Sequence, residues 1–331
     1  MLQKPLNFRI AIHLSFKDQD MQKKRYYVRN WQDYNEALVK RGDINFWFDE
    51  EVIRQWHVTE NTGKRGRPKV YSDIAIQCAL TIREIFHLPL RATEGLIRSL
   101  IEWGNLHIQA PDYSTLCFRQ KYLAVCLPKT ENKKPLHVVV DATGLKVFGE
   151  GEWKVRQHGY SKRRTWRKLH LAIDENDQEV EVAVVTTNDF KDSEVLPDLL
   201  EQIDSNVSQV SGDGGYDSHE SYQLITDRGA DPVIPPREDA VIAQHGNFHL
   251  PANPRDEVIR KIRQLGRKNW KKQSGYHRRS LAETAMYRLK TIFSGTLRAR
   301  LFENQGTEAL LRCFALNKMT QLGMPISYAA I

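Results

Sequence analysis

The interpretation of this chain starts from residues 276–290, which read YHRRSLAETAMYRLK. Apolar residues recur there every three or four positions, which predicts one amphipathic helix. A separate face, spanning about 60° at 3.6 residues per turn, carries four polar side chains: Tyr276, Arg279, Glu283 and Lys290. A carboxylate between two cations suits a polyanion with a metal ion beside it, but an ordinary solvated ion pair has the same pattern.

The charge of the chain indicates an acidic partner. Its 331 residues carry a formal net charge of +8. Residues 254–300 alone hold fourteen Lys and Arg against three Asp and Glu. Such an excess is typical of proteins that bind nucleic acid. No apolar run approaches the ~18 residues that a membrane-spanning helix needs, so no membrane partner is expected.

The cysteines do not predict a zinc site. None of the four forms a Cys-x-x-Cys pair, and all are expected in apolar helical contexts: Cys78, Cys117, Cys126 and Cys313. Reduced, buried thiols are typical of cytoplasmic proteins. We therefore expect a cytoplasmic protein.

Residues 21–130 are predicted to form an all-α DNA-binding domain. Residues 1–20 fit poorly with this helical segment and are interpreted as an N-terminal extension. Helices are predicted at 30–40 with Asn30 as the cap, at 72–86 with Ser72 as the cap, at 91–103 and at 116–125. The last three resemble a helix-turn-helix unit, although a plain helical bundle would have the same pattern.

Basic and aromatic side chains of this region are candidates for DNA contacts. Arg65 and Arg67 lie in an Arg-Gly-Arg-Pro run, which when extended can lie in an A·T-rich minor groove. A solvated basic linker is the alternative. Further candidates are expected to be exposed near the start of the last helix: Tyr113, Ser114, Arg119, Gln120 and Lys121.

A domain boundary is predicted at 128–135, which is polar, charged and bounded by prolines. Strands are predicted at 137–140, 164–174, 180–184, 207–212 and 232–234. The first three have short connections, which predicts an antiparallel meander, and helices at 193–203 and 219–228 separate the others. Residues 136–323 are therefore predicted to form an α/β domain. It has a mixed five-stranded sheet flanked by helices, with a basic insertion at 237–275.

Two aspartates end predicted strands that we expect to be neighbours, Asp141 after the first and Asp213 after the fourth. With Glu283 they form a set of hard oxygen ligands suited to Mg²⁺ or Mn²⁺. Two such ions would suit an in-line phosphoryl displacement. Single aspartates are more often turn or cap residues. Five others compete for the same role: Asp174, Asp189, Asp192, Asp217 and Asp231.

Two further basic segments are candidates for phosphate contacts. Five basic residues crowd around Trp166: Lys162, Arg163, Arg164, Arg167 and Lys168. Such a density of like charge is costly without an anionic partner. In the insertion, Lys and Arg surround Trp270, which is expected to stack on a base. A solvated helix is the alternative there.

The chain resembles the DDE transposases of bacterial insertion sequences, in particular the insertion-sequence-five group. The resemblance rests on VVVDATGLK at 138–146, HGY at 158–160, RRTWRKLH at 163–170 and GDGGYD at 212–217. It also rests on a Tyr-x2-Arg-x3-Glu-x6-Lys signature at Tyr276, Arg279, Glu283 and Lys290. The resemblance covers about residues 30–323. Residues 1–20 depart from the family pattern, which does not need them.

The resemblance implies an RNase H-like catalytic core in which Asp141, Asp213 and Glu283 bind two Mg²⁺ or Mn²⁺ ions. It implies that three residues lie near the phosphates of a DNA end: Tyr276, Arg279 and Lys290. The implied partner is double-stranded DNA, as terminal inverted repeats and as target. A homodimer in the DNA complex and a place in the prokaryotic cytoplasm, at the nucleoid, are implied as well.

The predicted function is DNA transposition. Water cuts a phosphodiester at each end of the element, and the freed 3′-hydroxyl then attacks target DNA. Two alternatives stay open at this point. One is an RNase H-like nuclease that cuts without strand transfer, and the other is a transposase-derived DNA-binding repressor with an inactive site. The intact acidic set and signature argue against the repressor.

Overall fold

Helices make up most of the described residues in the first third of the chain. The computed structural model describes residues 26–59, 68–130, 134–147, 166–244 and 253–329. After the strand Tyr26–Val28 (β1), the helices are Trp31–Lys40 (α1), Ile44–Trp47 (α2), Glu50–Arg54 (α3), Asp73–Ile85 (α4), Leu90–Trp103 (α5) and Tyr113–Gln120 (α6). Ser72 caps α4 as predicted, because its hydroxyl accepts a hydrogen bond from the backbone N–H of Ala75 at 3.1 Å.

One predicted cap and the bounds of one predicted helix are wrong. Asn30 precedes α1, but its side chain does not cap the helix. The Asn30 amide instead donates to the carbonyl of Met324 (3.0 Å) and accepts from the N–H of Ile326 (2.7 Å). The helix predicted at 116–125 begins at Tyr113, because Asp112 accepts a hydrogen bond from the N–H of Thr115 at 2.7 Å, and it ends at Gln120.

A mixed sheet follows the helices. Its strands are Leu136–Val147 (β2), Trp166–Asp174 (β3), Val180–Thr187 (β4), Val207–Ser211 (β5), Asp231–Val233 (β6) and Thr296–Leu297 (β7). They lie in the order β4-β3-β2-β5-β6, and β7 pairs with the end of β2. The antiparallel meander of β2, β3 and β4 is confirmed. The sheet has a sixth strand that was not predicted, because the two residues of β7 are too few to show alternation.

The register of β2 against β5 positions two aspartates. The strands are parallel, and their last paired residues are Val139 and Ser211. Asp141 and Asp213 each lie two residues further along. Asp141 is inside β2 and not at its end as predicted, because β2 continues beside β3 and β7 as far as Val147. The expected adjacency of the two strands is confirmed.

Helices cover both faces of this sheet. They are Asp192–Glu201 (α7), His219–Asp227 (α8), Pro254–Leu265 (α9), Arg267–Gln273 (α10), Ser280–Phe293 (α11) and Phe302–Leu322 (α12). Side chains of β2 alternate between the faces. Val138 and Val140 share an apolar core with α7, α8, α9 and α10. Val139 and Leu145 share the other core with α11 and α12. The chain ends its described part in Ser327–Ala329 (β8), which pairs antiparallel with β1.

The stretch at 276–290 is not one continuous α-helix. Tyr276–Arg279 form a 3₁₀ turn, and α11 begins after it at Ser280. Gly275 separates this turn from α10. Its φ of 72° is a left-handed backbone conformation, which glycine adopts without strain. The predicted stacking of Trp270 on a base is wrong as well. Its side chain is 5% exposed and belongs to the core under α10.

The helices before residue 121 share one of these cores with the sheet. Leu80 of α4 and Ile97 of α5 are fully buried in the cluster that contains Leu169 of β3 and Leu316 of α12. The boundary at 128–135 coincides with the change from helices to strands and otherwise stays a prediction. A fragment cut there would lose half of the core that surrounds α4.

The structure bears on two expectations, that the protein has no membrane-spanning helix and that its cysteines are reduced and buried. In the ranges that the structure describes, no helix combines the length and apolarity required to cross a membrane. All four cysteines are free thiols. Cys78 and Cys313 are buried as expected, and burial raises the pKa of each thiol to about 12. Cys117 and Cys126 are exposed, so the expectation of burial is wrong for them.

A buried ion network joins α4 to α12. The guanidinium of Arg312, 1% exposed, donates to Glu84 at 3.0 Å and to Glu308 at 2.5 Å. It also donates to the carbonyls of Ser294 (3.2 Å) and Thr296 (3.0 Å), between α11 and β7. Arg298 adds a second cation at 2.7 Å from Glu84. Hydrogen-bonding groups from α4, α12 and the segment after α11 therefore meet at one place.

We expect Arg312→Met to lower the free energy of unfolding by about 3–5 kcal/mol, because it leaves buried carboxylates without their main cation. Arg54→Met is the matched control. Arg54 is 71% exposed and pairs with Glu51 on the surface, where such a pair contributes about 0–1 kcal/mol. Urea unfolding of both variants measures the difference. Equal losses in the two variants would show that the Arg312 network does not stabilise the fold.

Candidate active site

One guanidinium joins two of the three predicted carboxylates. Arg279 donates through Nη1 to Asp141 Oδ2 at 3.1 Å and through Nη2 to Glu283 Oε1 at 2.5 Å. The position of Arg279 at the end of the 3₁₀ turn places it four residues, about one helical turn, before Glu283. Strand β2 and helix α11 therefore bring Asp141 and Glu283 to opposite sides of the same cation.

Asp213 lies beside this pair, at the start of a second 3₁₀ turn, Gly214–Tyr216. Its Oδ1 accepts a hydrogen bond from the N–H of Gly215 at 2.8 Å. Gly215 is needed for space, because a Cβ there would lie 2.9 Å from Asp213 Oδ1. The neighbouring Gly214 has no such restriction, since its Cβ would lie 3.7 Å from the nearest atom, the carbonyl oxygen of Pro235.

The electrostatics indicate that the three carboxylates converge. Burial raises the pKa of the Asp141 carboxyl, and the charges of Asp213 and Glu283 raise it further. The N–H of Ala142 and the Arg279 guanidinium oppose that rise. Burial lowers the pKa of Arg279, but Tyr276 and the same three carboxylates raise it above its usual value. The charges of Asp213 and Glu283 therefore act on Asp141, and the role of the three carboxylates as one site stays a prediction.

Asp217 is excluded from this set by its own partner. Its side chain is completely buried and forms two hydrogen bonds with Arg255, at 2.7 and 2.9 Å. The N–H of Arg237 donates a third at 3.0 Å. Burial alone would raise the pKa of the Asp217 carboxyl, but these bonds outweigh it and the pKa is lowered. Asp217 is thus a structural anion that holds α9 against the turn after β5.

The other signature residues lie around Arg279. The Tyr276 ring is partly buried, with the Trp270 ring centroid at 6.3 Å, Lys271 Nζ at 4.9 Å and Arg279 Cζ at 5.9 Å. Lys290, also partly buried, is seven residues after Glu283 in α11. Tyr276, Arg279 and Lys271 form a basic surface beside the acidic set.

The basic strand β3 has partners within the protein. Arg167 donates to Gln305 Oε1 at 2.7 Å and lies over the ring of Phe302. Lys168 donates to Asp192 at 3.1 Å and to the carbonyl of Phe190 at 2.8 Å. Lys168 thus has an internal anion in Asp192, whereas these partners of Arg167 are neutral, and contact of both residues with DNA stays a prediction. Five other predicted DNA contacts lie outside the described residues: Arg65, Arg67, Lys162, Arg163 and Arg164.

The candidates on α6 differ in exposure. Tyr113 is 39% exposed, with the Arg91 guanidinium 4.4 Å from its ring centroid, and Lys121 is exposed near Glu303 at 3.9 Å. Arg119 and Gln120 are buried, so their predicted exposure is wrong. Arg119 is held by Asp73 and, at 2.9 Å, by the carbonyl of Tyr71. It fixes α6 to the start of α4 and has no free face for DNA.

The acidic set fits a hard divalent cation on one condition. Among the described residues, no three His, Cys, Asp or Glu side chains are close enough together to hold a metal ion as they stand. The Arg279 guanidinium occupies the space between Asp141 and Glu283. Carboxylate oxygens are the ligands that Mg²⁺ and Mn²⁺ prefer. The donor set therefore suits either ion once Arg279 has moved aside.

A mixed α/β sheet with an acidic centre, bordered by arginines and lysines, is typical of enzymes that process nucleic acids. Comparison with known protein families indicates the same class of enzyme. Two sequence models, both described as Transposase DDE domain, match the chain, one over residues 39–150 and the other over residues 132–318. The second match covers more than half of the chain, so the chain belongs to the DDE transposase family.

Membership in this family establishes the function in general terms. The protein is a transposase, an enzyme of the nuclease and transferase type whose substrate is DNA. Transposases with a DDE domain generally use divalent metal ions, and the domain has an RNase H-like fold, with which the mixed sheet and its helices agree. The match at 39–150 includes α2 to α6, so these helices belong to the family's sequence pattern.

We expect Asp217→Asn to destabilise the protein by about 3 kcal/mol at pH 7, because it leaves Arg255 without its buried partner. The folded-state pKa of Asp217 is lowered. Its contribution is therefore complete above the unfolded value of about 3.9 and is lost as the pH falls through the folded value. The difference between wild type and variant should shrink below about pH 4. Urea unfolding from pH 7 to pH 3 measures it. Asp198→Asn, at an exposed position of α7, is the control, and an equal effect there would contradict the assignment.

Proposed function

We propose that this protein is the transposase of a bacterial insertion sequence, of the insertion-sequence-five group. It cuts the ends of its element and joins their 3′-hydroxyls to target DNA, with Asp141, Asp213 and Glu283 as the catalytic carboxylates. The observation that carries the proposal is the shared guanidinium: Asp141 and Glu283 converge on one cation from two elements. Asp213 is beside them in the register of β2 and β5.

The three carboxylates are proposed as the ligands of two Mg²⁺ or Mn²⁺ ions. Bound there, the ions supply activation of the attacking oxygen and stabilisation of the leaving oxygen. The protein contributes placement of the ligands, because Asp141 lies within β2 and is paired there with Leu171 of β3. Gly215 leaves room for the Asp213 carboxylate.

Arg279, Tyr276 and Lys290 are proposed to bind the phosphates at the DNA end. Within the part of the chain described, the ion pairs of Arg279 in the DNA-free protein are with carboxylates of the acidic set. A divalent cation between those carboxylates would repel the guanidinium, and a neighbouring DNA phosphate would accept it. The Arg279 guanidinium has the fork geometry for two hydrogen bonds to a phosphate. The Arg279 side chain would thus leave its carboxylate partners in the protein and bind a DNA phosphate instead.

The remaining contacts with DNA are proposed from exposure and charge. The helices of residues 21–130 would bind the terminal repeat in a helix-turn-helix manner, with Tyr113 and Lys121 exposed on α6 and at its end. Arg65, Arg67, Arg163 and Arg164 stay proposed contacts outside the described residues. The DNA complex is proposed to be a homodimer acting at the nucleoid in the cytoplasm. Because α4 shares its core with the sheet, end binding is best measured with the whole chain.

We expect Asp141→Ala, Asp213→Ala and Glu283→Ala each to abolish Mg²⁺-dependent cleavage of end DNA, because each removes a proposed metal ligand. Binding of the end should persist, since the phosphate contacts are retained. Cleavage and strand-transfer products on labelled end duplexes, together with end affinity, measure this. Asp198→Asn is a surface control that should leave both unchanged.

The same assay separates the proposed activity from its two rivals. Full activity in any one of the three variants removes that residue from the site. Nicked ends without joined products in the wild type would indicate a nuclease without strand transfer. End binding without any Mg²⁺-dependent cleavage would indicate a repressor.

We expect Arg279→Gln to bind Mn²⁺ more tightly than the wild type in the absence of DNA, by at least about tenfold, because a unit positive charge leaves the space between two carboxylates. The same variant should join ends poorly. Arg278→Gln is the matched control, since it removes a neighbouring cation that pairs with Glu175. Isothermal titration of the DNA-free wild type and both variants with Mn²⁺ measures the affinities. The strand-transfer assay on end duplexes measures joining. Equal affinities for Arg279→Gln and wild type would show that the guanidinium does not compete with the metal ion.

A further inference from the structure

A fourth carboxylate, that of Asp192, lies near Gly215, in the turn that follows Asp213. A Cβ on Gly215 would lie 2.9 Å from Asp213 Oδ1 and 3.3 Å from Asp192 Oδ2. Asp192 is the first residue of α7, and its side chain is 28% exposed. It lines a cavity of about 410 Å³ that also reaches Ala142, the residue after Asp141. The sequence placed Asp192 only among the competing acids.

Two buried polar atoms near Asp192 have no partner within the described protein. His170 is completely buried; its Nε2 is 2.9 Å from Thr186 Oγ1, whereas its Nδ1 has no hydrogen-bond partner and lies 3.8 Å from Asp192 Oδ1. The hydroxyl of Tyr216, also completely buried, is unpaired as well. Burial raises the pKa of Tyr216, and the charges of Asp192, Asp141 and Asp213 add to the rise. Buried polar groups are normally hydrogen-bonded, so these two atoms point to a bound species.

The four carboxylates form two pairs, and each pair has one positive side chain as a partner. Asp141 and Glu283 share the cation of Arg279. Asp213 and Asp192 flank Gly215, and Lys168 donates to Asp192 at 3.1 Å. Among the described residues, each pair of carboxylates therefore has one positive side chain against two carboxylates. Like charges at short range favour an additional cation.

We infer that Asp192 is a fourth carboxylate of the reaction centre and acts as a positioning residue for the cation at Asp213. With a cation bound there, Asp192, the His170 imidazole and the Tyr216 hydroxyl would orient the water beside it. This inference rests on the proposed function for the identity of the cation. Groups that orient metal ligands or bound water commonly change metal affinity by about 10–100-fold when they are removed.

The test is the affinity of the DNA-free full chain for Mn²⁺, measured by isothermal titration and by the electron paramagnetic resonance of free Mn²⁺. Asp192→Asn should bind Mn²⁺ at least about tenfold more weakly than wild type. Asp198→Asn removes the same charge from an exposed position of the same helix and should bind as wild type does. Wild-type affinity in Asp192→Asn would overturn the inference, as would an equal loss in both variants.

A pair of glycine variants tests the geometry independently of charge. Gly215→Ala places a methyl group against both carboxylates, at 2.9 and 3.3 Å, and should weaken Mn²⁺ binding. Gly214→Ala meets its nearest atom at 3.7 Å and should leave binding unchanged. Tyr216→Phe removes only the unpaired hydroxyl, so it should weaken Mn²⁺ binding without lowering the melting temperature. Equal Mn²⁺ affinities in the two glycine variants would overturn the proposed arrangement of Asp192, His170 and Tyr216. Unchanged Mn²⁺ affinity in Tyr216→Phe would overturn it as well.

Failure of this inference differs from failure of the proposed function. If the wild type cleaves and joins ends while Asp192→Asn binds Mn²⁺ normally, the transposase assignment stands and Asp192 is only a partner of Lys168. If the wild type has no Mg²⁺-dependent activity on DNA ends but Asp192→Asn weakens Mn²⁺ binding, the cation site stands without the proposed reaction.

Discussion

The buried guanidinium of Arg312 is the constraint on which the rest of the structure depends. It bonds to Glu84 in α4, to Glu308 in α12 and to carbonyls at the end of α11. Breaking such a pair leaves charge in a low-dielectric interior, so all of these segments are held in one relative position. Strand β7, which begins at one of those carbonyls, pairs with β2 beyond Asp141. The ion network thus links the helices before residue 121 to the strand and the helix that carry Asp141 and Glu283.

A second constraint acts within the site. Carboxylates that must approach one another to bind a metal ion repel before it arrives. In this protein internal cations reduce that repulsion: Arg279 lies between Asp141 and Glu283, and Lys168 is bonded to Asp192. The folded protein can therefore form the centre before substrate binds. In the proposed reaction Arg279 would leave this position when a metal ion binds, and DNA phosphates are anions suited to receive it.

Basic residues in this protein consequently have two distinct roles. Arg119, Arg255 and Arg312 have carboxylate or carbonyl partners inside the fold and stabilise contacts between its elements. Arg279 and Lys290 lie in the signature, beside the acidic set. They are the residues proposed to bind DNA phosphates. Net charge and local charge density do not distinguish these roles, because both kinds of residue are counted alike. Accessibility does distinguish them, since the Arg312 side chain is 1% exposed and the Arg279 side chain 22%.

The sequence by itself determined the local elements and the set of candidate ligands. Alternating and helical periodicities predicted the meander, the flanking helices and the adjacency of the strands that lead to Asp141 and Asp213. Cap residues such as Ser72 act over a few residues, so their effect can be read locally. The tertiary structure decided which candidates are available. Asp213 and Asp217 stand in one motif, yet only Asp217 is held by Arg255, 38 residues away. Arg279 meets Asp141 across 138 residues, and the Asp192 carboxylate lies near Gly215 only because α7 packs against the turn that follows Asp213. Burial and long-range partners depend on how the elements pack, and no local pattern contains that information.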